Sequence, residues 1–523
     1  MDAIMDDAPV PVSPFAWLGR REGLLLLVLL AVTLGLRGWQ LTSIPVATRD
    51  SIAFIRLAWY LEQRPLTEAL RSQPHHPLYP LAILGMSKVF RPLTPDNLPQ
   101  AMERSALAVN GLVSVVLVVV MYYLGRELFN PAIGFVGALL FQLLPATGRL
   151  LGDALSEPLF YLLAALALLA ATKGLRQGSL GWLAATGGFS ALAYLTRPEG
   201  MLIAVVTIGV GIIHQRMFIR CFVVAACFLL LAGPYMLTIG GLTAKPSAAY
   251  FVDPEKWQRD DPGRAAMAAP LPLAAWESDW GKQSNDPSRR WGWAACILVL
   301  MFNRAFFHGL WAFLFLALFH QRLRLRRDPA LLTQLILGCL MLLLCYRVAQ
   351  SNGYLSDRHL SLVVLMGVYW VALGLAHFAL WFPHPDRAAL VVLVLVGGIA
   401  GYRTTRPMHA ERVAFRTAGE WLAEHTLPGD RILDPYAHVY FYSGRIFVDE
   451  RRGDVPASNP VRSYVVLEHS SNSHPHLHHL LQHAEVLAQR GVEVVRVPLT
   501  RKAQPGYLAI YEVAAPLPRN VGG

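Results

Sequence analysis

Residues 105–124 read SALAVNGLVSVVLVVVMYYL, twenty positions without a charged side chain. A bilayer's hydrocarbon core is crossed by about 20 predominantly apolar residues in a helix, so this stretch reads as a membrane span. Working outward, similar runs recur near 23–41, 131–147, 156–172, 180–195, 199–214, 218–239, 292–320, 329–348, 359–380 and 387–402, eleven in all. The 292–320 run is long for one span, so its first turns are expected to extend above the membrane or to tilt within it. The first run, Gly23 to Leu36, is followed by Arg37-Gly-Trp without a small-residue cleavage site. It reads as a retained span and not as a signal peptide.

Composition agrees. The 523 residues are 54% hydrophobic and 15% charged, against about 25% charged in a soluble domain. The formal net charge is +11, but the basic residues cluster in short connections between apolar runs. That is the pattern of the positive-inside rule and not of a nucleic-acid partner. Arg20-Arg21, Arg126, Lys173 with Arg176, Arg216 with Arg220, Arg322-Leu-Arg-Leu-Arg-Arg327, and Arg387 fall in alternate connections. These connections are expected to be cytoplasmic, with the N-terminus inside and the C-terminus outside. The five cysteines all lie in apolar segments and suggest no disulfide framework or zinc site. No Asn-x-Ser/Thr acceptor occurs, which fits a bacterial inner membrane.

Three longer segments then face out: 42–104, 240–291 and 403–523. In the first, Ser51 to Arg71 spaces Ile52, Ile55 and Trp59 at helical intervals and suggests either an interfacial helix lying on the membrane or an ordinary connecting helix. The last reads as a small soluble α/β domain, beyond an α-helical polytopic domain that occupies 1–402. Its expected elements are a helix at 409–425 ending before Pro428-Gly429, strands at Arg431–Leu433, Val461–Leu467, Val492–Val497 and Leu508–Val513, and a helix at 476–490.

Polar residues at span ends are costly and therefore candidates for function. In Thr48-Arg49-Asp50, Asp50 is a candidate general base for an incoming hydroxyl; the plainer alternative is a helix cap or a salt bridge with Arg49. In Gln73-Pro-His-His-Pro-Leu-Tyr-Pro80 the prolines fix an extended turn. That turn presents His75, His76 and Tyr79 to a phosphate or sugar, or is a rigid turn with incidental histidines. In Gly152-Asp153-Ala-Leu-Ser156-Glu157-Pro158, Ser156 or Asp153 can cap the next helix, which accounts less well for Asp153 and Glu157 together. Thr196-Arg197-Pro198-Glu199-Gly200 and Ser356-Asp357-Arg358-His359 bring arginines whose planar forks suit phosphate. Each arginine alone is also a common interface anchor. His479 and His483 are spaced to share a helix face, but no acidic or cysteine partner completes a metal site.

Taken in order, these clusters resemble the polyprenyl-phosphate-sugar-dependent glycosyltransferases of the GT-C superfamily, such as the dolichyl-phosphate-mannose protein mannosyltransferases and the lipid A aminoarabinose transferases. The resemblance rests on Arg49-Asp50, His76-Pro-Leu-Tyr-Pro80, Asp153-Ala-Leu-Ser-Glu-Pro158, Leu195-Thr-Arg-Pro-Glu-Gly200 and Asp357-Arg-His359. It covers roughly the first 400 residues. It implies Asp50 as catalytic base, with Asp153 assisting it or orienting the acceptor. Arg197, Arg358, His75 and His76 would hold the donor phosphate, with Arg49, Tyr79, Glu157, Glu199 and His359 nearby. Many members carry an acidic pair in the first loop, whereas here Asp50 is followed by Ser51. That departure weakens the case for a metal bridge there, although a divalent metal at the acidic cluster stays open. The implied reaction is one inverting displacement. Sugar passes from a polyprenyl-phosphate carrier to a hydroxyl of a protein, glycan or lipid on the outer face. The competing reading, a lipid or sugar transporter or flippase, usually shows internal repeats and mid-membrane polar sites. Neither pattern is visible.

Overall fold

The computed structural model describes residues 21–244, 291–352, 355–427, 429–448, 461–470, 478–499 and 506–514. Most of the expected outer segment 240–291 lies outside them, as does the side chain of His479. The chain opens with α1 (Glu22–Ser43), α2 (Arg49–Gln63), α3 (Leu66–Ser72), α4 (Leu78–Leu93), α5 (Leu98–Leu128) and α6 (Pro131–Leu143). Next come α7 (Glu157–Gln177), α8 (Leu180–Thr196), α9 (Met201–Ile213), α10 (Phe218–Ile239), α11 (Trp291–Ala305) and α12 (Trp311–His320). The membrane part closes with α13 (Pro329–Asn352), α14 (Ser361–Ala379) and α15 (Pro385–Thr404). The eleven apolar runs all fall on helices. Seven helices among the described residues are long and apolar enough to cross a membrane, and shorter apolar helices lie between them.

Close packing is achieved with small residues where helices cross. Gly125 of α5 meets Gly134 of α6 so tightly that neither site has room for a Cβ. The Tyr369 ring of α14 lies against Gly125 and Gly137, and its hydroxyl donates to the Met121 carbonyl at 2.9 Å. Small residues serve this purpose in membranes because helix association depends on close contact more than on expelling water. A polar cluster sits within the same bundle. Arg37 of α1 is 3% exposed and donates to Gln40, to the Gly148 carbonyl at 2.6 Å and to Gln142 Oε1 at 2.9 Å.

Two sequence expectations are corrected. The 292–320 run is not one tilted span. It breaks between α11 and α12, where Phe307 and His308 take φ of 51° and 55° and Gly309 takes 155°. Such backbone costs about 1–3 kcal/mol per non-glycine residue. It is held by Asn303, which accepts from the Trp311 indole N–H at 2.8 Å, by the buried Phe306 ring, and by Gly374, whose bare backbone admits Phe313. The helix expected over Ser51–Arg71 is two helices, because Pro65 pushes Arg64 to extended backbone (φ −124°, ψ 159°). Its apolar face does not rest on lipid. Ile52 and Ile55 are 2% and 0% exposed within the protein, and Trp59 meets Phe447 edge-on at 5.4 Å.

The tail forms the two helices and four strands expected of it and adds one short helix, His438–Tyr442. They are α16 (Val413–His425), β1 (Arg431–Leu433), α17 (His438–Tyr442), β2 (Ser463–His469), α18 (His478–Ala488), β3 (Val492–Pro498) and β4 (Tyr507–Val513). The sheet order is β1-β2-β4-β3, with β1 parallel to β2 and the other pairs antiparallel. Alternation along β4 places Leu508 and Ile510 in the core shared with α16, and Val513 in the core shared with α18.

Candidate active site

Two ends of the bundle carry charge. At one, Arg126 pairs with Glu22 at 2.9 Å, Arg176 with Asp328 at 2.5 Å, and Arg324 donates to the Leu128 carbonyl at 3.0 Å. These residues belong to connections assigned to one side by their basic charge. The other end carries the turns singled out for chemistry.

Asp50 sits in the first turn of α2. Thr48 caps that helix, its hydroxyl accepting the Ser51 N–H at 3.1 Å, and a carboxylate at this position is favoured by the helix dipole. The Asp50 Oδ2 accepts from Arg358 Nη1 at 2.6 Å, across 308 positions of sequence. Arg358 reaches it from a single 3₁₀ turn, Asp357–Leu360, which leads into α14. Burial pushes the Asp50 carboxyl up, but Arg358, His75 and Arg197 outweigh that and hold it below the usual carboxylate range. The two paired side chains remain partly open, Arg358 at 36% and Asp50 at 48%.

Arg197 lies at the C-terminus of α8, set in extended backbone before Pro198. It is far more enclosed. Its guanidinium meets Glu157 at 2.7 Å and Glu199 at 3.4 Å, with Arg197 16% and Glu157 4% exposed. Burial alone would lower its pKa, but the two carboxylates more than offset that and hold it as a cation. Glu157 opens α7, and Ser156 makes no side-chain cap there.

The remaining candidates divide. His75 packs on Phe54 at 4.7 Å and lies within electrostatic reach of Asp50. His76 is 1% exposed. Its ring packs on Tyr194 and Tyr235 at 5.1 and 5.2 Å, and its Nε2 meets the Thr243 hydroxyl at 3.2 Å. Tyr79 is fully buried and accepts from Asn110 at 3.1 Å. Asn110 also donates to the carbonyls of Asp153 and Leu155, fixing the loop before α7. His359 accepts the Ser356 N–H at 3.1 Å, a capping role. Arg49 points to the tail, within electrostatic reach of Asp434. Asp153 is bound by His409 Nε2 at 3.0 Å, so its partner is the tail, whereas Asp50's is Arg358. Among the described residues no three His, Cys, Asp or Glu side chains converge as metal ligands.

Glu103, Tyr442, His409 and Arg416 join bundle to tail without belonging to any of the five polar turns. A lone glutamate beside the apolar run at 105–124 was the available signal. Tyr442 lies 339 positions from Glu103 and His409 lies 256 from Asp153, and no local pattern marks either.

A helical bundle with an α/β tail, and a carboxylate–arginine pair at the tail's end of the bundle, are the features to set beside known proteins. Residues 96–237 match the family model described as dolichyl-phosphate-mannose-protein mannosyltransferase, a stretch that contains Glu157 and Arg197. Among solved structures, the chain is similar to ArnT from Cupriavidus metallidurans bound to undecaprenyl phosphate. That match has a TM-score of 0.55 at 13% identity and covers 92% of this chain and 97% of that one. It is similar also to the Archaeoglobus fulgidus oligosaccharyltransferase tethered to an acceptor peptide, with a TM-score of 0.56 at 11% identity, covering 94% and 74%. Against the same archaeal protein with Zn and sulfate, the chain spans 55% of that protein's length. No curated protein matches the chain by sequence.

Proposed function

We propose that the chain transfers a sugar from a polyprenyl-phosphate carrier to an acceptor hydroxyl on the outer face of the membrane, inverting the anomeric carbon. The observation that carries this reading is the Asp50–Arg358 pair at 2.6 Å, a base and a phosphate ligand side by side and partly open. The lipid phosphates bound to the similar proteins, undecaprenyl phosphate in one and dolichol-phosphate in another, support the donor class. In the displacement, Asp50 takes the acceptor O–H proton while the acceptor oxygen bonds to the anomeric carbon. The bond from that carbon to the phosphate oxygen breaks, and the phosphate departs with the electron pair. Arg358 meets the charge that develops on it. Arg197, already held between two carboxylates, adds field more than direct contact, and His75 flanks the base.

The test is the affinity for undecaprenyl phosphate and the pH profile of Arg358→Ala and Arg358→Lys. A charge-assisted hydrogen bond is worth about 1.5–3 kcal/mol, so alanine should weaken donor binding or transfer about tenfold to a hundredfold. Lysine should restore only part, since a point charge lacks the two-pronged contact. The pH profile has a definite sign. Asp50 works deprotonated, and Arg358 holds its pKa down against burial, which pushes it up. Removing Arg358 leaves burial opposed only by His75 and Arg197, so the acid limb of kcat/KM should move to higher pH. Unchanged affinity together with an unmoved acid limb would reject the site.

Orientation is part of the proposal. The basic connections gather at one end and the Asp50 turn lies at the other, which supports a cytoplasmic N-terminus and an outer tail. A reporter fused after Gly523 should be active only on the outer side, and cytoplasmic activity would reverse the assignment.

A further inference from the structure

The connection 44–48 between α1 and α2 decides where Asp50 sits, and it is gripped by the tail. The Ala47 N–H donates to the Tyr442 hydroxyl oxygen at 2.9 Å. The same hydroxyl donates its proton to Glu103 Oε1 of α5, also at 2.9 Å. Arg416 Nη1 donates to the Pro45 carbonyl at 3.2 Å, and its guanidinium lies over the Tyr442 ring at 5.6 Å. Glu103 and Tyr442 are 4% and 6% exposed. A tail that merely adhered to the bundle would hold side chains on helix surfaces. Here it holds two backbone groups of one short connection, five and three positions before Asp50, and ties them to a buried carboxylate of the longest helix.

We propose that Tyr442 and Arg416 are positioning residues for Asp50, and that one function of the tail is to fix the catalytic turn. This rests on the reading of Asp50 as base. A displacement of the base by about 1 Å can cost about a hundredfold in rate, while the donor phosphate, met by Arg358 from another turn, is not displaced by the same change.

The experiment uses the full chain and measures kcat, affinity for undecaprenyl phosphate and thermal midpoint. In Tyr442→Phe, kcat should fall about tenfold to a hundredfold, with affinity unchanged. Arg416→Met should lower kcat in the same direction. That side chain is only half-buried, so this variant carries the test if Tyr442→Phe does not fold. Glu103→Gln keeps an acceptor oxygen for the Tyr442 hydroxyl and should retain most of kcat, whereas Glu103→Leu should fall as Tyr442→Phe does. Wild-type kcat in both Tyr442→Phe and Arg416→Met overturns the proposal, as does a loss of donor affinity in step with kcat. Asp50→Asn, measured in parallel, separates the two readings. If it is inactive while the tail variants are normal, only the positioning role fails. If it turns over normally, the reading of the site fails and the positioning role with it.

Discussion

Asp50→Asn should abolish sugar transfer while the protein still inserts and still binds undecaprenyl phosphate. A positioned general base typically contributes about a hundredfold to ten-thousandfold, and the amide that replaces it has no basic site at any working pH. Asparagine nearly matches aspartate in shape and can still accept a hydrogen bond from Arg358, so the turn capped by Thr48 should persist. What is lost is the charge. Transfer from a polyprenyl-phosphate sugar, followed in membranes alongside lipid-phosphate binding, separates the two effects. Turnover within severalfold of wild type would remove Asp50 from the mechanism.

Arg197→Ala should act on the folded state as much as on the reaction. Glu157 is 4% exposed and has Arg197 at 2.7 Å as its cation. Removing one partner of a buried pair typically costs about 3–5 kcal/mol, because the other charge is left uncompensated. The expected result is a strongly lowered thermal midpoint in detergent. Replacing Glu157 by Gln in the same chain should recover part of the loss, since the stranded charge is then gone. A midpoint equal to wild type in the single variant would show that Glu157 finds another partner. Sequence alone made Arg197 and Arg358 equivalent. Structure separates them, one enclosed by two carboxylates and one facing a partly open base.

The membrane helices were legible because the hydrocarbon core demands long apolar runs, and the tail strands because alternation and turn residues survive in a small domain. Two features escaped for physical reasons. The break at Phe307–His308 lies inside an apolar run, and helix periodicity carries no trace of a left-handed turn held by Asn303 and a packed Phe306. Helix α4, with Pro80 in its first turn and Pro92 near its end, was hidden because prolines at helix ends look like loop. Within the site, the five turns were found because polar residues at span ends stand out. Their pairing was not found. Whether His76 faces a phosphate or packs on Tyr194 and Tyr235 depends on which helices lie beside it, and nothing within residues 73–80 records that.

Arg37 has a consequence for the order of assembly. Its partners Gln142 and the Gly148 carbonyl lie 105 and 111 residues further along the chain. At a synthesis rate of about 5–20 residues per second, they emerge roughly 5–20 s after it. During that interval the first helix carries an arginine with no built-in acceptors beyond Gln40. Arg37 lies six positions before the helix end at Ser43, about 9 Å along the axis, close enough for the long side chain to reach the headgroups. Its inward turn then becomes a late event. It waits on α6 and the loop behind it, and so couples the seating of the first helix to the arrival of the loop that carries Asp153.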